Sequence, residues 1–164
     1  MTKIPKIDRI LYATDLSENS KYAFRYAAAV ANLSDARITV LHVVSDLPPN
    51  AEILLATILG YESRTELKRK SKKELIQSIK DYLEAFCRQI VTELPSCPLL
   101  VEDILVEEGK PVIVILHHIN QSNCDLVIMG SRGHGLVTEA LIGGTSRRVL
   151  KRSHRPVLIV PAME

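Results

Sequence analysis

The sequence predicts an α/β protein with one doubly wound, five-stranded parallel sheet and helices on both faces of that sheet. Short β-branched runs alternate along the chain with longer stretches in which apolar residues recur at helical spacing, a pattern typical of α/β proteins. The run 37–44, RITVLHVV, is nearly all apolar, as expected of a strand that is covered on both faces. The chain has 164 residues without a repeat or a low-complexity linker, so we expect residues 1–164 to form a single domain.

The first two strands and the helix between them are predicted at the start of the chain. Residues 7–13 are predicted as the first strand and residues 37–44 as the second. The helix between them is expected to run to about residue 33, because apolar residues recur there at helical spacing. Three residues of types that cap helices precede it: Asp15, Ser17 and Asn19.

The middle of the chain holds an irregular segment and a long helical pattern. In the segment 45–63, two prolines interrupt the chain and the apolar stretch 51–61 follows them. We therefore expect a short helix there, over a groove or at an interface. One long helix is predicted over residues 65–94, because its second half places apolar side chains on one face. Pro95 ends this helix.

The last part of the chain alternates strands and helices again. The three remaining strands are predicted over residues 100–106, 125–129 and 156–160. The stretch 112–120 is rich in β-branched residues, but Pro111 at the first helical position and apolar spacings of three and four favour a helix. A last helix is predicted over residues 143–151. Since crossovers between parallel strands are right-handed, this order gives a doubly wound parallel sheet.

Composition and charge exclude several classes of protein. Lys and Arg number 21 and Asp and Glu number 19, and a net charge of +2 gives no strong attraction to nucleic acid or anionic membranes. No run reaches the roughly 18 apolar residues of a membrane-spanning helix. The N-terminal MTKIPKID lacks the apolar core of a signal peptide, and the three cysteines form no CxxC pair. We therefore expect a cytoplasmic protein with reduced thiols, no membrane contact and no nucleic-acid partner.

The segment 129–146, MGSRGHGLVTEALIGGTS, is where we expect a ligand to bind. It begins at the carboxyl end of a predicted parallel strand, where α/β proteins bind ligands. Gly130, Gly133 and Gly135 allow a sharp turn that leaves backbone N–H groups uncovered. The GGTS sequence at 143–146 stands where a helix begins, and a helix N-terminus favours phosphate. Together these groups would clamp a polyphosphate; the alternative is that the glycines serve only turns and a helix cap.

Two familiar phosphate motifs do not fit this segment. A P-loop has the form GxxxxGK[ST], but Leu136 stands after Gly135 where the lysine is required. The dinucleotide fingerprint GxGxxG fails after Gly133 and Gly135, and the segment comes late in the chain rather than after the first strand. No residue that would position an attacking water is evident either, so we expect at most weak ATP hydrolysis.

The chain resembles the universal stress protein family, whose motif is Gly, two residues, Gly, nine residues, Gly, then Ser or Thr. Gly130, Gly133 and Gly143 match this motif in register. The resemblance extends from ILYATDLSE at the first strand to RPVLIVP at the last strand. It implies a five-stranded parallel α/β sheet, a homodimer formed through the last strand Pro156–Val160, and ATP as the ligand, with Mg²⁺ held mainly by the phosphates.

The resemblance also implies a role for individual residues. Asp15 lies near the adenosine, with Ala13 and Thr14 before it in the same site, and Val43 matches the backbone position that meets the adenine. Met129 and Gly130 line the ribose and phosphates. The phosphates would be held by Gly133, Gly143, Gly144, Thr145 and Ser146.

Two residues depart from the family pattern. Gly144 stands where the family has Ser or Thr, which removes one hydroxyl contact to phosphate. Ser146 matches a hydroxyl that is common in the family and is expected to compensate. Ala13 replaces a proline that is common before the Thr–Asp pair, a change that we expect to be tolerated.

Several other residues have two interpretations. Asp15 could serve only as the N-cap of the first helix. Arg132 and His134 lie inside the glycine segment and either touch phosphate or are simply exposed to solvent.

His42 is expected to be a core histidine with a hydrogen bond. The run KRKSKK at 68–73 is expected to lie on the exposed face at the start of a helix.

Three functions follow from these residues. The first is an ATP-binding regulator of a stress response, in which the nucleotide changes what the protein presents to a partner. The second is a slow ATPase or phosphotransferase. The third is a dimeric interaction module without nucleotide, favoured by Gly144, whose partner would bind the apolar segment 51–61. No metal site formed by side chains is expected, since adjacent His117 and His118 point apart on a helix.

Overall fold

A computed structural model describes residues 3–94, 100–134 and 142–163 of the chain. These residues form five strands: β1 Arg9–Thr14, β2 Arg37–Val44, β3 Val101–Glu108, β4 Leu126–Gly130 and β5 Val157–Val160. They also form six helices: α1 Glu18–Ser34, α2 Pro49–Ile58, α3 Arg64–Arg69, α4 Lys72–Thr92, α5 Pro111–Gln121 and α6 Gly144–Arg152. Each strand predicted from the sequence begins and ends within two residues of the observed strand.

The sheet is parallel throughout, with strand order β3-β2-β1-β4-β5. The chain builds the sheet outward from β1 to β3 and then returns to the other side of β1 with β4. In the register between β1 and β4, Ala13 lies opposite Met129. The carboxyl ends of β1 and β4 therefore meet where the strand order reverses, which is where open α/β sheets form a ligand crevice.

Helices cover both faces of the sheet, as predicted. On one face, Ile10 and Tyr12 of β1 pack in a buried cluster with Phe24 of α1 and Leu83 of α4. On the other face, a second buried cluster joins strand and helix residues: Leu11, Leu41, Val127, Ile115 and Val149. Alternate residues of β1 thus enter different clusters, because successive side chains of a strand point to opposite faces.

The long helix predicted over residues 65–94 is wrong: the chain forms α3 and α4 with a break at Lys70 and Ser71. Lys70 adopts an extended conformation, with ψ of 140°. The Ser71 hydroxyl accepts a hydrogen bond from the Glu74 amide, and the Glu74 carboxylate accepts one from the Ser71 amide. This capping box starts a new helix at residue 72 because it pairs two backbone donors that the first turn leaves free.

The irregular segment 45–63 contains the short helix that its composition predicts. Pro49 occupies the first position of α2, where a proline costs no hydrogen bond. Gly60, with φ of +78°, ends this region before α3 begins. The predictions made for Pro95, Cys97, Gly135 and Leu136 fall outside the described residues.

Within the described part of the chain, no helix is both long enough and apolar enough to cross a membrane.

Candidate functional site

A cavity of about 850 Å³ lies at the carboxyl ends of β1, β2 and β4. This volume is within the range of about 300–1,000 Å³ that is typical of small-molecule sites. Its lining includes every residue that the sequence predicted to bind the ligand: Ala13, Thr14, Asp15, Val43, Met129, Gly130, Arg132, Gly133, Gly143, Gly144, Thr145 and Ser146. The fold thus brings together residues that are up to 133 positions apart, from Ala13 to Ser146.

The turn after β1 is organised by the Asp15 carboxylate. Asp15 Oδ1 accepts hydrogen bonds from the Ser17 amide at 3.0 Å and from the Ser17 hydroxyl at 2.6 Å. Ser17 is the residue that caps α1, through a 3.2 Å hydrogen bond from the Ser20 amide to its hydroxyl oxygen. The interpretation of Asp15 as the N-cap is therefore wrong; Asp15 orients the cap and lies in the cavity wall.

Gly130 and Gly133 are packed against the start of α1. A Cβ atom on Gly130 would lie 2.7 Å from Asn19 Nδ2, and one on Gly133 would lie 2.1 Å from Asp15 Oδ2. These distances are shorter than any ordinary contact, so a side chain at either position would have to displace the side chain of Asn19 or Asp15. His134 on the same turn donates a hydrogen bond from Nε2 to the Asp15 carbonyl oxygen. We call residues 130–133 the glycine turn. Glycine is favoured at these two positions because the turn packs closely against the start of α1, and not because the backbone there is left-handed.

The N-terminus of α6 forms the adjoining part of the cavity. Gly143 is the N-cap residue and provides no side-chain cap, while its amide donates a 2.6 Å hydrogen bond to the Ser131 carbonyl oxygen. The N–H groups of the first helical turn have no partner inside the helix, and the helix dipole adds positive potential there. Gly144, Thr145 and Ser146 line the cavity at this turn, which suits an anion.

Ser146 does not provide the hydroxyl donor that was expected to compensate for Gly144. Its hydroxyl is buried and donates a 2.7 Å hydrogen bond to the Gly130 carbonyl oxygen. This bond ties α6 to β4 and uses the only hydroxyl hydrogen of Ser146. Thr145, which is half-buried and lines the cavity, is therefore the hydroxyl of this turn that remains to donate a hydrogen bond to an anion.

His42 is a buried histidine, as predicted, and also belongs to the cavity lining. It is 7% exposed, and its Nδ1 lies 2.8 Å from the Thr14 carbonyl oxygen, which can only accept a hydrogen bond. The hydrogen is therefore on Nδ1. Burial lowers the pKa of His42 below its ordinary value, so the imidazole is neutral near pH 7.

The opposite side of the cavity is formed by residues 47–75, which include α2, α3 and the start of α4; we call this side the helical wall. Its apolar surface is formed by five side chains: Leu47, Leu55, Ile58, Leu67 and Leu75. Lys68, Lys70 and Lys72 also line the cavity. The prediction that the KRKSKK run is exposed at the start of a helix is confirmed: all of its residues except the half-buried Lys70 are exposed, and Lys72 begins α4, while three of its lysines also line the cavity.

Several charged side chains of the helical wall form ion pairs with one another or with β3. Glu52 accepts a hydrogen bond from Arg64, which lowers the pKa of Glu52, and lies 3.5 Å from Lys68 Nζ. Lys72 Nζ lies 2.8 Å from Glu108 Oε1 at the end of β3, and this hydrogen bond raises the pKa of Lys72. The helical wall therefore presents both apolar side chains and ion-paired charged side chains to the cavity.

Two expectations from the sequence concern residues outside the cavity: that no side-chain metal site forms and that the thiols are reduced. His118 Nε2 lies 2.8 Å from Glu107 Oε1, and the described residues contain no cluster of three His, Cys, Asp or Glu side chains that could hold a metal. Cys87 and Cys124 are buried, as expected of packing residues. Burial raises the pKa of Cys87 to about 12 and raises that of Cys124 as well. Both thiols are therefore protonated and unreactive near pH 7.

The sequence identified Asn19 only as a residue that could cap α1. In the structure, its side-chain Nδ2 donates a 3.0 Å hydrogen bond to the Arg132 carbonyl oxygen. Leu16, also in the cavity lining, has a left-handed φ of 67°. Neither feature has a signal in a single sequence, because both depend on how the β1–α1 turn meets the glycine turn.

Comparison with known proteins gives a consistent result. Residues 6–161 match the model of the universal stress protein family. The chain is 30% identical to universal stress protein MJ0577 of Methanocaldococcus jannaschii, over 93% of each chain. The solved structure of MJ0577 superposes with a TM-score of 0.67 at 25% identity, covering 98% of this chain and 99% of that chain.

Two further solved structures share the fold at lower identity. The universal stress protein UspA from Lactobacillus plantarum has a TM-score of 0.69 at 22% identity, covering 96% of this chain and 99% of that chain. A universal stress protein from Archaeoglobus fulgidus, solved in complex with dAMP, has a TM-score of 0.60 at 19% identity and covers 94% and 97% of the two chains.

Proposed function

This chain belongs to the universal stress protein family, and from that premise we propose that it binds ATP in the cavity between the glycine turn and the helical wall. Mg²⁺ would be held mainly by the phosphates. The protein would act as a nucleotide-responsive regulator in a stress response, with at most weak ATP hydrolysis. The observation that carries this proposal is the convergence of all twelve predicted residues on one cavity at the point where the strand order reverses.

Different parts of the cavity lining suit the phosphates and the base of a nucleotide. The first turn of α6 offers backbone N–H groups and the Thr145 hydroxyl to the phosphates, and Arg132 also belongs to the lining. Val43 and Ile115 offer apolar contact to the base. The dAMP complex of the Archaeoglobus relative supports an adenine nucleotide as the ligand class.

The proposal includes a cytoplasmic homodimer. β5 is at one edge of the sheet and, among the described strands, pairs only with β4. A second copy could pair with its free edge at Pro156–Val160 without disturbing the cavity, because an edge strand presents unpaired backbone groups. Regulation would then follow if nucleotide binding favours one conformation of the helical wall or of the dimer over another.

One observation favours the alternative of an interaction module that works without nucleotide. Gly144 lacks the hydroxyl of the family motif, and the Ser146 hydroxyl is already donated to the Gly130 carbonyl oxygen. The phosphate end of the cavity therefore has fewer side-chain donors than the resemblance implied.

This difference supplies a direct test. A Cβ atom on Gly144 would meet nothing within 4 Å, so Gly144→Ser fits the structure and restores a hydroxyl. We expect MgATP to stabilise the native chain against thermal unfolding, by about 2.7 kcal/mol at 100 times its Kd and thus by several degrees. Gly144→Ser should increase this shift and Thr145→Val should decrease it, since each changes one hydroxyl.

Co-purified nucleotide must be removed first, which extraction under denaturing conditions would verify. An absence of any MgATP-dependent shift in both the native chain and Gly144→Ser would contradict ATP binding and favour the interaction module.

A further inference from the structure

The first turn of α1 lies directly against the glycine turn. Asn19 Nδ2 donates a 3.0 Å hydrogen bond to the Arg132 carbonyl oxygen, and the same nitrogen occupies the space that a side chain on Gly130 would need. One amide therefore contacts the glycine turn at two points, Gly130 and Arg132.

The backbone that carries Asn19 is fixed to β1 by its neighbour Ser20. The Tyr12 hydroxyl donates a 2.5 Å hydrogen bond to the Ser20 carbonyl oxygen, and the hydroxyls of Thr14 and Ser20 are 2.9 Å apart. Tyr12, Thr14 and Ser20 are all buried. The backbone of Asn19 is thus held in place by β1. The Asn19 side-chain amide can therefore restrain the conformation of the glycine turn.

The orientation of the Asn19 amide is set by its contact with Arg132. A carbonyl oxygen only accepts hydrogen bonds, so the atom that faces it must be Nδ2. This orientation leaves Asn19 Oδ1 buried without a hydrogen-bond partner among the described residues. A buried acceptor without a partner is unfavourable and calls for a reason. Holding the glycine turn supplies that reason, because the flipped amide would place two oxygen atoms against each other.

We propose that Asn19 is a positioning residue that holds the glycine turn in the conformation in which its main chain lines the nucleotide cavity. The effect on the turn stands on the structure alone, while the effect on affinity rests on the proposed function. Asn19 contributes no atom to the cavity lining and acts through Gly130 and Arg132.

The hydrogen bond can be tested without nucleotide, because its acceptor is the carbonyl that trypsin attacks when it cleaves after Arg132. Loss of the bond should make cleavage after Arg132 about five- to tenfold faster, as expected for one hydrogen bond. The variants are Asn19→Ala and Asn19→Asp, and the rate after Arg132 is measured by mass spectrometry beside the rates at other sites.

Asn19→Asp removes the donor and keeps the shape of the side chain. A carboxylate cannot donate to the Arg132 carbonyl oxygen and places an oxygen atom against it, so the melting temperature should fall. Positioning is therefore measured as the acceleration of cleavage after Arg132 relative to the acceleration at the other trypsin sites. Glu18→Gln is the matched control on the same turn, since Glu18 points into solvent and should leave this cleavage unchanged.

The same variants then report on nucleotide affinity. MgATP should slow cleavage after Arg132 in the native chain, and both Asn19 variants should bind MgATP about fivefold more weakly. Unchanged cleavage after Arg132 in both variants, or equal acceleration at every site, would overturn the positioning role. Faster cleavage after Arg132 in the variants, with no effect of MgATP on the native chain, would uphold the positioning role and contradict the proposed function.

Discussion

The two sides of the cavity present different chemical groups to a ligand. The glycine turn and the first turn of α6 present mainly backbone groups, whose positions are fixed by β4 and by hydrogen bonds such as that from Ser146 to Gly130. The helical wall presents long side chains, both apolar ones and charged ones that form ion pairs. Backbone N–H groups can bind a phosphate, but they are nearly the same for every amino acid. Most substitutions therefore leave these groups unchanged. In the proposed nucleotide complex, selectivity for the rest of the ligand would come from side chains, those of the helical wall together with Val43 and Ile115.

Removing an apolar side chain from the helical wall should give the largest loss of stability. Leu55 is 6% exposed and belongs to the core cluster on the α1 and α4 face of the sheet. Leu55→Ala should lower the free energy of unfolding by about 2–4 kcal/mol, from lost burial and the space left behind. Urea denaturation measures this loss, and because Leu55 also lines the cavity, the shift caused by MgATP should decrease as well.

Lys68→Ala is the matched control for this prediction, because it alters the same wall through an exposed ion pair with Glu52. Its effect on the free energy of unfolding should be below about 1 kcal/mol. A larger effect for Lys68→Ala than for Leu55→Ala would mean that charge, not apolar packing, holds the wall in place.

Adding one methyl group to the glycine turn should give a smaller loss of stability and a larger loss of binding. In Gly133→Ala the new Cβ would lie 2.1 Å from Asp15 Oδ2, so Asp15 must move from its hydrogen bonds with Ser17. We expect a cost of about 1–3 kcal/mol in the free energy of unfolding. The MgATP-dependent shift in melting temperature should fall with it.

Gly144→Ala makes the same chemical change where nothing lies within 4 Å of the new atom. Its stability should equal or exceed that of the native chain, since alanine favours a helix more than glycine does. Equal losses in Gly133→Ala and Gly144→Ala would show that tight packing against Asp15 does not explain Gly133.

The smallest predicted effect concerns pH and the buried His42. Its pKa in the folded protein lies below 6.5, so the unfolded chain takes up the proton first as the pH falls. The free energy of unfolding should therefore decrease as the pH is lowered below about 6.5, by at most about 1.4 kcal/mol per pH unit for this one group. Urea denaturation between pH 5 and 8 would measure the slope.

His42→Gln should flatten this slope, whereas the exposed His154 gives a control, His154→Gln, that should leave it unchanged. Asp15 raises the pKa of His42 and His134 lowers it, so the Asp15 side of the cavity also contributes to the slope. The same slope in the native chain and in His42→Gln would rule out this histidine as its source.

The side of the cavity formed by the glycine turn and the first turn of α6 could be predicted from the sequence more fully than the helical wall. The apolar strands and the spacing of Gly130, Gly133 and Gly143 identified the cavity, because strand ends and helix starts leave clear local signals. The reason for the glycines was missed, since their contacts with Asn19 and Asp15 join residues more than 110 positions apart.

The helical wall was mispredicted for a different reason. The apolar spacing after residue 75 suggested one long helix and outweighed the capping box of Ser71 and Glu74, although that signal is present in the sequence. Which way Lys68, Lys70 and Lys72 then point depends on how α3 and α4 pack, and this is not visible in local spacing.

The left-handed conformation of Leu16 restricts which amino acids this position accepts. A backbone φ of 67° is strained for leucine and worse for valine or isoleucine, while glycine and asparagine adopt it easily. The side chain of Leu16, however, is only 2% exposed and fills the core. Residues that suit the backbone would leave a void or bury a polar group, and branched residues that suit the core would not suit the backbone. In a library of all single substitutions, position 16 should therefore tolerate fewer residues than its equally buried neighbours Tyr12 and Leu11 on β1.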